Sequence, residues 1–276
     1  MSPGETGIYL YGIAPAFVAG TPLHSEGVQP GGAVEFLVQG SLAAVASPVS
    51  LEEFAPEKVE THLKAGEVQW VEEKAFAHAT VLQELMQRAP VVPVPVRFGI
   101  LFRDRDRLLS LLAAKERELA SLLERLAGRM EWGVKAHCRE EAFTEALARE
   151  DPEVRGLRER LQRFPPGMAY LQRKKLELLL EEKAQERLPQ WAGQVHEALA
   201  GVCEEAEVLE IREELEGKET VVLHGAYLVP EEYTGRFRGE LERLGGEFSC
   251  RGLRFVLSGP WPPYHFAQVD LDIEAL

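Results

Sequence analysis

The residues in this chain that could do chemistry are dispersed, and none stands in the spacing that a known chemistry requires. His196-Glu197 opens like a zinc-protease helix, in which two histidines four residues apart hold the metal, but no histidine follows at position 200. Asp270 and Asp272 form a D-x-D pair near the terminus that falls short of a full cation ligand set, and read as a solvated tail. Cys138, Cys203 and Cys250 show no C-x-x-C spacing, so they read as small, mostly buried hydrophobes of a reducing compartment, with no disulfide framework or zinc site. There is no glycine-rich phosphate loop and no G-x-S-x-G elbow. His78 falls on the apolar stripe of a helix. A ligand or general base is conceivable there, but a histidine satisfied at the edge of the core is the plainer account.

Three groups remain that could serve recognition. Arg97, followed by Phe98 and Gly99, stands at the end of a proline-containing strand; it could meet a partner's carboxylate or lock the chain internally with an ion pair. Tyr170, Arg173, Lys174 and Lys175 make a basic island that could dock on an acidic surface. Glutamates one turn away, such as Glu177, could equally neutralise it. The run Gly259-Pro260-Trp261-Pro262-Pro263-Tyr264 removes three backbone donors in four residues. It should end the last strand and continue as an extended arm carrying Trp261, Tyr264 and Phe266, either packed back on the protein as a staple or facing a partner. Pro260-x-x-Pro263 also satisfies a loose adaptor-binding pattern, which requires exposed prolines.

The elements that must position these groups follow from periodicity. Residues 7–13, 34–38 and 42–49 read as strands, followed by helices over about 56–66 and 68–88. In 91–98 the apolar residues Val92, Val94, Val96 and Phe98 share one face. Pro93 and Pro95 remove donors from one side, so this strand belongs at a sheet edge or is bulged there. Asp104 caps a helix predicted over 105–127. A second half begins with the alternation Trp132, Val134, Ala136, Cys138. Helical pattern then runs from about 140 to 207, with breaks expected at Phe164-Pro165-Pro166-Gly167 and at Pro189, and with Asp151-Pro152 as a cap. Strands over 208–215 and 220–229 flank a turn at 216–219. A helix with Tyr233, Phe237, Leu241, Leu244 and Phe248 on one face and a strand over 253–258 complete it. The fold class is α+β: an N-terminal mixed domain, 1–129, and a ferredoxin-like βαββαβ domain, 130–276, with an enlarged helical first crossover over about 140–207.

The net charge of −14, with both halves acidic, disfavours a nucleic-acid partner. No window approaches the ~18 apolar residues of a membrane helix, and the N-terminus lacks a signal-peptide pattern, so a cytoplasmic protein is expected.

Five segments resemble one family in the order they occur: Tyr9-Leu10-Tyr11-Gly12-Ile13, Pro95-Val96-Arg97-Phe98-Gly99, Glu131-Trp132-Gly133-Val134-Lys135, Ala169-Tyr170-Leu171 with Arg173-Lys174, and Ser258 through Tyr264. These are marks of the gas vesicle GvpF/GvpL proteins. The last motif departs from the usual one in carrying Ser258 where Thr is common. The resemblance implies a modified ferredoxin-like second domain. It also implies a non-enzymatic minor structural or assembly role, with contacts to the shell protein GvpA and other accessory proteins, and no cofactor. It does not separate GvpF from GvpL. The alternative is a small-molecule enzyme or sensor on the second domain, with a pocket around His137 or His224.

Overall fold

The computed structural model describes residues 5–54, 68–163, 165–211, 219–269 and 271. The predicted helix over 56–66 and the turn at 216–218 lie outside the described residues, as do Asp270 and Asp272. The chain divides into two compact units: Met1–Glu131 with Pro260–Leu276, and Trp132–Gly259. The expected division assigned the C-terminal arm to the second domain; its contacts place it in the first unit.

The first unit is built on strands β1 (Thr6–Pro15), β2 (Glu35–Gln39) and β3 (Leu42–Ser50), then a single turn α1 (Leu51–Phe54), helix α2 (Val68–Arg88), strands β4 (Val94–Pro95) and β5 (Leu101–Phe102), and helices α3 (Arg105–Ala114) and α4 (Glu116–Leu126). The sheet order is β2-β3-β1-β4, with β5 also on β1. β1 is central and almost wholly buried, which its Ile, Tyr and Leu content anticipates. Tyr9, Tyr11, Val45, Val49, Val81, Leu82 and Leu85 form the core between sheet and α2.

The proline strand is shorter than predicted. Only Val94 and Pro95 pair, with Ile13 and Gly12. The Val96 amide then donates to the Tyr11 carbonyl at 3.1 Å. Even-numbered residues thus turn their backbone groups toward β1, and the donorless nitrogens of Pro93 and Pro95 face the free edge. The helix predicted over 105–127 is two helices. Lys115 leaves helical geometry at φ −102°, ψ 10°, and the Glu116 carboxylate beside it accepts from the Ser41 amide and hydroxyl, both at 2.8 Å. Asp104 caps α3 as expected, accepting from the Arg107 amide at 2.9 Å.

The second unit runs β6 (Arg129–Arg139), α5 (Glu140–Glu150), α6 (Pro152–Leu161), α7 (Pro166–Ala200), β7 (Glu205–Val208), β8 (Glu219–Pro230), α8 (Thr234–Ser249) and β9 (Leu253–Trp261). The strand order is β7-β8-β6-β9, so the connectivity is βαββαβ with three helices in the first crossover. Asp151 caps α6 through the Glu153 and Val154 amides, with Pro152 in the first turn. Pro189 does not break α7. The helix passes through it because Trp191, Ala192, Val195 and Leu199 bury against the core and outweigh the ~3 kcal/mol local cost. Tyr233 lies in a short 3-10 turn before α8 and is exposed, while Phe237, Leu241, Leu244 and Phe248 are buried as predicted. β9 also runs past its expected end, through Gly259 and Pro260 to Trp261. It is the last strand in the sheet order, where a missing donor disrupts no further pairing.

Candidate interaction site

In the first unit, β4 with the turn after it and the C-terminal arm line a groove of about 850 Å3. One wall carries Val94, Val96, Arg97 and Ile100; the other carries Tyr264, His265, Gln268 and Val269, so both mix polar and apolar groups. The arm is held by a buried carboxylate. Glu131, 4% exposed, accepts from the His265 backbone amide at 2.9 Å and meets its ring Nδ1 at 2.6 Å. Arg125 donates to the Phe266 carbonyl. The amides of Phe266 and Ala267 turn back onto the Pro263 carbonyl, and both side chains are buried.

Behind the groove lies a polar cluster within an aromatic core. The Tyr9 hydroxyl accepts from the Gly99 amide at 3.1 Å and lies 2.9 Å from His78 Nδ1. Burial pushes the His78 pKa down to about 4, against a smaller opposing pull from the Val96 carbonyl. His78 Nε2 and the Tyr264 hydroxyl are both buried without a full hydrogen bond among the described residues, and the two rings lie 6.2 Å apart. Tyr11 ties two segments together: its hydroxyl accepts from the Val28 amide at 2.9 Å and lies 2.7 Å from Ser47 Oγ.

The Arg97-Phe98-Gly99 motif divides accordingly. Phe98 packs at 6.2 Å from the rings of Tyr9 and His78. Gly99 sits at φ +89°, a conformation that favours glycine, and from there it donates to Tyr9. Arg97 is exposed, lines the groove, and has no ion-pair or hydrogen-bond partner among the described residues.

The other predicted residues separate. Trp132 is a core residue of the second unit, with the Arg238 guanidinium 4.7 Å from its ring centroid. Tyr170, Arg173 and Lys174 are exposed on α7. Gly259 adopts φ +116°, which a side chain would strain. Pro260 is exposed and Trp261 half-buried, but Pro262 and Pro263 are buried, so the run does not present the P-x-x-P pattern of an adaptor ligand. Burial pushes the Cys138 and Cys203 thiols up to about 11; of the three cysteines expected to be mostly buried, Cys138 is buried, Cys203 half-buried and Cys250 exposed. His137 is buried in β6, and the groove described above lies in the other unit from it and from His224. The Glu131–His265 pair is not legible in the sequence: 134 residues separate them, and although Glu131 opens a family-like segment, nothing local links it to His265.

The family model for gas vesicle synthesis protein GvpL/GvpF matches residues 7–268. The chain belongs to this family. Gas vesicle protein F of Streptomyces sp. (strain CB03234) is 29% identical over 94% of this chain and 99% of its own length. Gas vesicle protein L of the same organism is 28% identical over 95% and 92%, so the chain is about equally similar to both. The crystal structure of GvpF from Anabaena sp. PCC7120 superposes with a TM-score of 0.68 at 20% identity, covering 96% of this chain and 99% of that one. GvpF from Microcystis aeruginosa gives 0.63 at 18%, over 95% and 99%. The α+β architecture is thus that of GvpF, and membership supports a gas-vesicle-related role. Among the described residues, no helix is long and apolar enough to cross a membrane.

Proposed function

We propose that this chain is a cytoplasmic, non-enzymatic accessory component of gas vesicle formation that binds the shell protein GvpA and, through it or beside it, other accessory proteins. The observation that carries the reading is Arg97. Its motif neighbours Phe98 and Gly99 are used up by the fold, whereas Arg97 stands unpaired on a groove whose mixed polar and apolar walls could receive a segment bearing a carboxylate. A small-molecule enzyme would instead need convergent polar groups at a pocket with a nucleophile or base poised for use. The titratable groups behind this groove point the other way: His78 is held neutral and the Tyr9 hydroxyl is raised by burial, and both are committed to each other.

Co-purification with solubilised GvpA tests the reading. Retention of GvpA above a scrambled-peptide control is expected, together with missing or malformed vesicles in a deletion strain. No retention, with normal vesicles in the deletion strain, overturns it.

A further inference from the structure

Helix α7 is held firmly along only part of its length. Its C-terminal half buries Trp191, Val195 and Leu199 in the core of the second unit. Toward its N-terminus, Leu179 is buried and Leu176 packs beside it, but Tyr170, Leu171 and Leu178 are 68%, 70% and 58% exposed. At about 100° per residue, Leu171, Lys174, Leu178, Glu182 and Gln185 form one outward stripe, opposite the buried face, with Lys175 and Glu181 on its flanks.

The charges on this stripe make no ion pair among the described residues. Lys174, Lys175, Glu181 and Glu182 are exposed and have no partner among the described residues, and Arg173 makes no salt bridge with Glu177 one turn on. Their order is antisymmetric about Leu178. Two lysines stand four and three residues before it; two glutamates stand three and four after it.

We propose that this face joins two copies of the chain, α7 against α7 and antiparallel, about a two-fold axis through Leu178. That operation sets Lys174 opposite Glu182 and Lys175 opposite Glu181 of the other copy, twice over, with Leu178 on Leu178 at the centre. A partner of uniform charge would satisfy one half of the stripe and repel the other. At a net charge of −14, copies repel in most orientations, so they can associate only where opposite signs meet. The contact from Tyr170 to Glu186 spans roughly 24 Å at 1.5 Å per residue. One helix pair of that length falls below the ~800 Å2 per partner of a standard interface, so the dimer is weak and sensitive to salt.

Sedimentation velocity over a concentration series, at low and high salt, tests this on the full chain. The wild type should shift toward dimer with concentration and back toward monomer with salt. K174E/K175E and E181K/E182K should each weaken association by about tenfold or more, while an equimolar mixture of the two variants should form a heterodimer. Leu178→Cys in a Cys250→Ser background should cross-link to itself on oxidation. Circular dichroism confirms that these surface variants fold. A wild type that stays monomeric at every concentration overturns the proposal, as does a dimer indifferent to both charge reversals. Loss of GvpA retention by K174E/K175E from a monomeric wild type would assign the face to the shell protein instead.

Discussion

Glu131 grips His265 twice, through the backbone amide at 2.9 Å and through ring Nδ1 at 2.6 Å. One buried carboxylate thus fixes the wall of the groove that the C-terminal arm supplies. Removing it in Glu131→Ala strands two donors at once and should cost about 1–3 kcal/mol. His265→Ala keeps the backbone bond and should cost less. Hydrogen exchange at residues 264–269 should quicken in the order wild type, His265→Ala, Glu131→Ala, with β1 and β3 unaffected. Equal exchange in all three would mean that the buried Phe266 and Ala267 hold the arm without the carboxylate.

Gly99 separates backbone strain from steric clash. A Cβ built there meets nothing within 4 Å, yet φ is +89°. Gly99→Ala should therefore destabilise only through the backbone, by about 1–2 kcal/mol. Tyr9→Phe removes both the acceptor for the Gly99 amide and the hydrogen bond with His78 Nδ1, and should cost at least as much. Thermal melts read both, with a few degrees lost in each.

Local patterns made much of this legible before any coordinates. Asp104 and Asp151 cap helices because a short carboxylate before an apolar run has few other uses, and Pro93 and Pro95 mark an edge because a missing donor cannot be hidden inside a sheet. The failures share a cause as well. Pro189 sits inside a helix and Pro260 inside a strand because tertiary context, the burial of Trp191 and Val195 in one case and an edge position in the other, outweighs a local penalty. At the site, Arg97 could be named from its motif, but its lack of a partner could not, and neither could the distant pairing that positions the wall opposite it.

His78 makes the first unit sensitive to acid. Burial lowers its pKa from 6.5 to about 4. The unfolded chain therefore takes up a proton below pH 6.5 that the folded chain refuses until about pH 4. Its contribution is complete above pH 6.5 and is lost progressively as the pH falls toward 4, by on the order of 3 kcal/mol. Chemical denaturation of wild type and His78→Gln between pH 7 and 4.5 checks this: the wild type should lose stability more steeply. Parallel slopes would show that His78 is protonated in the folded protein.

Arg97 offers the sharpest separation of fold from recognition, because its motif neighbour Phe98 is structural. Phe98→Ala opens the cluster around Tyr9 and His78 and should destabilise the protein by about 2–4 kcal/mol. Arg97→Ala and Arg97→Glu remove an exposed side chain without a partner, and should leave stability within about 0.5 kcal/mol. If the groove receives a carboxylate of the shell protein, retention of GvpA should fall in Arg97→Ala and fall further in Arg97→Glu, where repulsion adds to the lost bond. Arg97→Lys should recover only part, since an ammonium cannot form the bidentate pair. Full retention by Arg97→Glu at unchanged stability would move the contact away from this groove.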